Sequence, residues 1–315
     1  MVPGLFSVVV PVFDAGPVLE RAVDSVRAQT YDRYEIILVD DGSRDGSDRR
    51  ARELAATDER ITALAVPRSG APARPRNQGI RASRGEFVAF LDQDDWWLPE
   101  KLERQYEKFR AGDDAVVYTD IVFVDRASPE SGRRMSELDY YRKRTGDMPE
   151  GSVEREIIRS NFTAQFTVAV RADWVQRVGP MNEDAPGVDC YEYLLRLALA
   201  GGRFGAVREV CGVYERQEDS FSRDQLRAWE ASLPFFRTLA AEHPEFAEEW
   251  EPRIREYEQA LARGYLARAR DPEVTLRERV TAMRRMRGVN PPARYTRKAL
   301  RSFLPRRAGA PGGAG

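Results

Sequence analysis

Histidine and cysteine are scarce in this 315-residue chain, with one of the first and two of the second. Cys190 and Cys211 show neither a paired framework spacing nor zinc-like neighbours. They read as reduced thiols, which suits a cytoplasmic protein. The single histidine, His243, stands before Pro244 outside every motif and receives no role. No segment approaches the roughly 20 consecutive apolar residues needed to span a bilayer. The start, Met-Val-Pro-Gly-Leu-Phe-Ser, lacks the basic stretch and small-residue cleavage site of a secretory leader. Charge of one sign is also missing. The net value of −1 gives no overall attraction to nucleic acid or to an anionic membrane. There is no internal repeat, no G-x-G-x-x-G and no Walker lysine, so dinucleotide and P-loop readings are weak.

What remains is an ordinary soluble balance of 42% apolar and 32% charged residues, long enough for one large domain or two modest ones. Apolar runs at 5–13, 34–40, 61–66, 86–91 and 116–124 read as strands. Helices are expected from Pro17 through "VLERAVDSVRAQ", at 47–56 with Ser47 or Asp45 near the N-cap, at 76–83 and at 98–110. This alternation predicts a parallel sheet with helices on both faces. The runs are continuous rather than alternating, as strands buried on both sides require. Later come a polar loop over 126–150, a short helix in "GSVEREIIRS", a strand in "QFTVAV", an amphipathic helix over 189–201, and helices at 223–241, 245–268 and 272–287.

Ligands of such sheets bind at the carboxyl ends of the strands, and the acidic residues lie there. Asp14 follows the first strand and Asp40-Asp41-Gly42-Ser43 the second. Asp92-Gln93-Asp94-Asp95 follows Phe87-Val88-Ala89-Phe90-Leu91. Three carboxylates within four residues are unfavourable unless protons or a cation neutralise them. Magnesium is held by one or two carboxylates together with substrate phosphates, and Asp92-x-Asp94 offers that arrangement. The alternative is that Asp94 or Asp95 only caps the helix near Pro99. Trp96 and Trp97 either stack on a sugar or pack. "VDDGSRDGS" either reads a base or ribose edge or is an Asx-rich turn. Arg68, Arg74 and Arg76 either supply charge to phosphate or are loose surface arginines.

"SVVVPVFDAGPVLERAVDSVRAQTYDRYEIILVDDGSRDGS" and "RNQGIRASRGEFVAFLDQDDWWLPEKLERQ" together resemble glycosyltransferase family 2 over residues 5–124. A weaker likeness runs to about 222. The resemblance implies a GT-A fold, a Rossmann-like, mostly parallel sheet flanked by helices. It also implies a nucleotide-diphospho-sugar donor, UDP-sugar favoured, inversion at the anomeric carbon, and Mn or Mg as cofactor. By position, Pro11 and Phe13 border the nucleobase, Phe13 replacing the more usual tyrosine. Asp40 or Asp41 holds the base or ribose, and Arg76 and Asn77 match the Arg-Asn pair beside the nucleotide. Asp92 and Asp94 match the D-x-D with Gln93 between them, Asp94 being the direct metal ligand and Asp95 a neighbour. Asp95, Trp96, Arg216 and Gln217 fall on the diphosphate or acceptor side.

Two departures stand out. Aligning on Arg196 sets Asp189-Cys190 where the family has Glu-Asp, leaving Asp189 as candidate base and Glu192, one turn on, as second candidate. Gln217 stands where the Tyr-Arg-x-His loop has histidine and is a weak metal ligand. The rival readings are a nucleotide-binding relative without transfer, a tailoring transferase acting on a small molecule, and a sugar-1-phosphate nucleotidyltransferase. The last lacks its glycine- and lysine-containing loop here.

The expected organisation is a transferase domain over 1–222, split at 124/125 into nucleotide and acceptor halves, then a helical extension over 223–290 and a basic tail over 291–315. Residues 284–307 carry nine basic and no acidic residues. They suit either contact with the inner face of an anionic membrane or a solvated end. The helices over 223–268 cover the acceptor side or form a homo-oligomer contact. The acceptor is a carbohydrate, a lipid-linked glycan or a small molecule.

Overall fold

The computed structural model describes residues 1–125, 148–185, 187–216, 225–271 and 273–289. The chain divides into two compact units, Met1–Arg223 and Asp224–Gly315. Most of the polar stretch expected over 126–150, and all of the tail beyond 289, lie outside the described residues.

The first unit is built on an eight-stranded sheet in the order β3-β2-β1-β4-β7-β6-β8-β5. Its strands are β1 (Val2–Val12), β2 (Tyr34–Asp40), β3 (Ile61–Ala65), β4 (Gly85–Phe90), β5 (Trp96–Trp97), β6 (Val116–Asp125), β7 (Ala169–Arg171) and β8 (Phe204–Arg216). The helices are α1 (Val18–Arg27), α2 (Ser47–Thr57), α3 (Ala73–Ala82), α4 (Lys101–Ala111), α5 (Glu154–Arg159), α6 (Ala172–Val178) and α7 (Asp189–Leu199). Val8, Val9 and Val10 are fully buried at the centre of β1, as are Ile36, Leu38 and Val39 of β2. Such two-sided burial explains why these runs do not alternate. It also makes them the main source of hydrophobic stabilisation, at about 1.5–3 kcal/mol per large apolar side chain.

The mostly parallel sheet expected above is present, with two antiparallel strands in it. β1 pairs in parallel with β2 and β4, β2 with β3, and β6 with β8. β7 lies antiparallel between β4 and β6, and β5 runs antiparallel to β8. The strand expected in "QFTVAV" is mostly a 3₁₀ turn over Gln165–Thr167, with only Ala169–Arg171 in the sheet. β8 was not anticipated, because charged residues interrupt its apolar run.

Helix α3 sits directly on β1. A side chain at Gly79 would meet Val9 Cγ1 at 2.3 Å, so only glycine permits the approach. At the other end of the sheet, α4 begins at Lys101 with Glu100 in the capping position and no side-chain cap. Asp94 and Asp95 therefore do not cap this helix.

The second unit packs α8 (Gln225–Glu242), α9 (Ala247–Arg270) and α10 (Leu276–Gly288) around Leu233, Leu261, Tyr265, Leu266, Ala269, Ala282 and Met286. Thr275 and Glu278 form a reciprocal capping box at the start of α10. Among the described residues, no helix is long and apolar enough to cross a membrane.

Lys101 is fully buried. Its Nζ donates to Gln105 Oε1 at 2.8 Å and lies 3.9 Å from the centroid of the Trp97 ring. Burial pulls its pKa down to about 7, with Cys211 opposing weakly. The unfolded chain takes up this proton below the ordinary value of 10.5, whereas the folded chain does so only near 7. The stabilisation is complete above 10.5, declines as the pH drops, and is fully lost below 7. Lys101→Met should flatten this dependence. Urea melts of wild type between pH 9.5 and 7 should lose on the order of a few kcal/mol, and the variant should lose much less. Equal slopes would show that the buried lysine does not titrate as described.

Candidate active site

The acidic clusters meet because β2, β1 and β4 are neighbours with their carboxyl ends at one edge. Val12 pairs with Asp40 and Val9 with Phe90. The Asp41 amide donates to Val12 O, and the Leu91 amide to Val9 O. The register alone therefore sets Phe13, Asp40-Asp41 and Asp92 side by side. Asp14 has a positive φ of 42°, a conformation unusual for a side chain larger than glycine.

On the β2 side, both aspartates serve the turns around them. Asp40 accepts from the Gly42 amide at 3.0 Å and from the Ser43 amide, which is the Asx turn. Asp41 accepts from Arg68 Nη1 at 2.9 Å, from the Ser69 amide and hydroxyl at 2.8 Å each, and from the Gly70 amide at 3.1 Å. Gly42, at φ 75°, lies where a side chain would touch Arg68. Arg68 also covers the Phe13 ring, 3.1 Å from its centroid. Gln93 clamps the end of β1 by accepting from the Phe13 amide at 2.7 Å and donating to Phe13 O at 2.9 Å. Pro11 lies within β1 opposite Val39.

The third cluster has too much negative charge for its surroundings. Asp95 is 1% exposed, and neither carboxylate oxygen has a hydrogen-bond partner of good geometry. Its pKa is pushed well up by burial and by Asp92 and Asp94, the Glu215 amide and Arg21 giving only partial relief. Burial, then Asp92 and Glu215, push Asp94 up to about 6, with Arg21 pulling the other way. Glu215 enters through β-pairing. Trp96 faces Val213 and Trp97 faces Gly212, and continuing this antiparallel register brings Asp94 opposite Glu215. Arg21 donates to the Glu215 carboxylate, to Asp94 O at 2.8 Å, and lies over the Trp96 ring at 4.0 Å. Sequence reading missed Arg21 and Glu215. They lie 194 residues apart, and nothing local marks either of them.

Trp97 is core, its Nε1 donating to Phe166 O at 2.8 Å. Among the described residues no three acidic, histidine or cysteine side chains converge as a ready-made metal cage. The donors present are carboxylates, which suit a hard cation. The orphaned Asp95 and the raised Asp94 fit a site completed by a divalent ion and the oxygens of a ligand. Arg216 ends β8, and Gln217 lies outside the described residues.

The fourth group is carried by α7. Asp189, its first residue, is 2% exposed and accepts from Arg76 Nη1 at 3.0 Å. Burial pushes its carboxyl above the ordinary range, and Arg76 partly offsets this. Cys190 Sγ lies 2.9 Å from Arg76 Nη1. Burial pushes its thiol pKa well up, so it is neither thiolate nor base. Glu192 is engaged by Arg196, Nη2 to Oε2 at 2.9 Å, and by a second bond from Nε. Arg76 is 3% exposed and its Nη2 donates to Asp92 Oδ1. Asn77 donates to Met181 O at 2.9 Å and Glu183 Oε1 at 3.1 Å, and accepts from the Met181 amide at 2.8 Å. Each of the three loop arginines has a carboxylate partner, Arg68 and Arg74 remaining partly exposed and Arg76 enclosed. Arg68 holds Asp41, Arg74 holds Glu183, and Arg76 joins Asp92 to Asp189.

Fold and site together define a GT-A type of nucleotide-sugar transferase architecture. Staphylococcus aureus TarS residues 1–349, solved with UDP-GlcNAc, shares it at a TM-score of 0.67 and 17% identity, covering 92% of this chain and 82% of that one. The Pyrobaculum calidifontis mannosyltransferase PcManGT, solved with GDP-Man and Mn2+, gives 0.56 at 17% identity, over 94% and 84%. The sequence profile of glycosyl transferase family 2 matches residues 7–167, just over half of the chain, and the chain belongs to that family. Among its relatives is the Escherichia coli UDP-Glc:alpha-D-GlcNAc-diphosphoundecaprenol beta-1,3-glucosyltransferase WfgD, 31% identical over 124 residues, 39% of this chain and 48% of WfgD. The first curated relatives are matched over only 36% to 41% of their own length.

If the acidic corner demands a cation, Asp94→Asn should have two opposite effects. In chelator it should raise the melting temperature by relieving repulsion. It should also abolish the rise that UDP with Mn2+ gives wild type. That rise is about 2.7 kcal/mol at a hundred times Kd, or about 4 °C at an unfolding entropy of about 2.1 cal/mol/K per residue. A retained rise in the variant would remove Asp94 from the cation site.

Proposed function

We propose that this chain transfers a sugar from a nucleoside-diphosphate donor to an acceptor hydroxyl, inverting the anomeric carbon. The observation that carries the reading is the acidic corner, where Asp95 is buried with no hydrogen bond of good geometry and Asp94 is pushed up to about 6. It adjoins the edge where β1 and β2 end, and a single arginine joins it to Asp189. A cation–diphosphate pair neutralises such a corner.

In this reading Phe13, with Arg68 displaced or adjusted, flanks the base, and Gln93 fixes the loop between the two halves. Asp92 lies on the ribose side, because Arg76 already holds one of its oxygens. Asp94 holds the divalent cation, with Asp95 beside it. When bound, Mn2+ or Mg2+ offsets the negative charge that develops on the departing diphosphate. Asp189 accepts the proton of the acceptor hydroxyl as that oxygen attacks the anomeric carbon from the face opposite the diphosphate. One C–O bond forms, the bond to the diphosphate oxygen breaks, and the proton rests on Asp189. Burial favours this role by making Asp189 a stronger base than an exposed aspartate. Glu192 is the weaker candidate, since Arg196 holds both its oxygens.

The printed names of TarS and WfgD support a UDP-sugar donor, and that of WfgD supports a lipid-linked acceptor in glycan assembly. The basic residues over 284–307 suit such an acceptor by bringing the protein to the inner face of a membrane. Most of them lie outside the described residues, and Arg285 pairs with Glu230.

Asp189→Asn should leave UDP affinity unchanged and lower kcat by about 10²–10⁴. In wild type, kcat should fall on the acid side of a pKa above the ordinary aspartate value of about 3.9, since only the ionised carboxylate accepts the proton. Calorimetry with UDP and Mn2+, and turnover across a panel of UDP-sugars, test both points. Unchanged turnover in the variant would move the base elsewhere.

A further inference from the structure

We infer that Arg74-Pro75-Arg76-Asn77 on α3 is a clasp for the segment bearing the base, and that Arg76 is a positioning residue for Asp189 rather than a nucleotide contact. The inference rests on the transferase reading for its kinetic consequence, but its geometry stands independently. All three polar side chains of this short stretch fasten the same partner. Arg74 Nε donates to Glu183 at 2.9 Å. Asn77 grips Met181 by amide and carbonyl together and reaches Glu183 as well. Arg76 takes Asp189 and Cys190 through Nη1. The contacts span more than a hundred residues of sequence, so they fix tertiary position rather than local turns.

Arg76 adds a second connection. Its Nη2 holds Asp92, and its Nε is buried without a partner. Three of its five N–H donors thus go to two carboxylates and a thiol inside the protein. The planar fork joins the donor-side loop to the first turn of α7 at fixed separation. A lysine would keep the charge but offers no fork. Gly79, which lets α3 approach Val9 of β1, anchors the clasp to the central strand. The whole connection therefore runs from β1 through α3 to the base.

Two variants and two measurements test this. Arg76→Lys removes the fork, and Asn77→Ala removes three hydrogen bonds without removing charge, which covers the case that the first variant folds poorly. In hydrogen exchange, both should speed exchange in 181–185 and 187–192 by tenfold or more, leaving β2 and the Asp40–Ser43 turn as in wild type. Faster exchange in the Asp40–Ser43 turn with none over 181–192 would overturn the clasp. In kinetics, Arg76→Lys should keep UDP affinity, measured with Mn2+, and the donor KM within about threefold. Its kcat should fall by about 10²-fold, the scale of a small misplacement. In the Asp189→Asn background the same change should cost nothing further, because groups acting as a unit are not additive. A tenfold loss of UDP affinity with kcat kept, or an undiminished loss in the double variant, would make Arg76 a direct nucleotide contact. Should wild type turn over no donor while the exchange result holds, the transferase reading fails and the clasp stands.

Discussion

Repulsion among carboxylates is the constraint around which this site is arranged. Asp92, Asp94 and Asp95 follow one another at the end of β4, and β8 adds Glu215 opposite them. The protein supplies two arginines, one on each flank. Arg21 ties Glu215 to the backbone of Asp94, and Arg76 ties Asp92 to Asp189. Neither hydrogen-bonds to Asp95, whose buried oxygens have no hydrogen bond of good geometry. Leaving buried polar groups unsatisfied costs about 1–3 kcal/mol each, more when charged. A chain keeps such a group where function requires it, and a cation shared with a diphosphate is the simplest way to relieve it.

The two arginines act differently. Arg21 reaches in from α1 and stacks on Trp96, so the acidic loop is held against the helix that follows β1. Arg76 is almost wholly enclosed and connects Asp92 with Asp189, which the proposed reaction places on opposite sides. Inverting transfer requires donor and base to face each other across the anomeric carbon, and orientation of this kind supplies a large share of catalytic advantage. A rigid ionic bridge between the two sides is a direct structural means of holding that alignment.

Much of this was visible in the sequence. The runs of β1, β2 and β4 are apolar without interruption because helices cover both faces, and the acids after them sit together at the carboxyl edge of the sheet, as the strand order requires. Asp92 to Asp95 stood out by charge density alone. The rest depended on long-range contacts. β8 escaped notice because Arg208, Glu209 and Glu215 break its apolar pattern, and with it Glu215 was lost. β7 is three residues long and follows a 3₁₀ turn, so no periodicity could show its antiparallel insertion. The aspartates of "VDDG" suited a base or ribose edge or a turn, and the hydrogen bonds they accept from the amides of Gly42, Ser43, Ser69 and Gly70 were not legible from spacing. Arg76 and Asn77 were recognised by resemblance as neighbours of the nucleotide. Their partners lie more than a hundred residues away, apart from Asp92, and were not legible from spacing.

The most direct test of the central claim is a crystal grown with Mn2+ and UDP, with the metal located by its anomalous signal. The account predicts one manganese within coordinating distance of an Asp94 oxygen and of the diphosphate, with the uracil beside Phe13 and the Arg76 bridge to Asp189 intact. A manganese bound elsewhere, or UDP seated with the Asp92–Asp95 corner untouched, would contradict it.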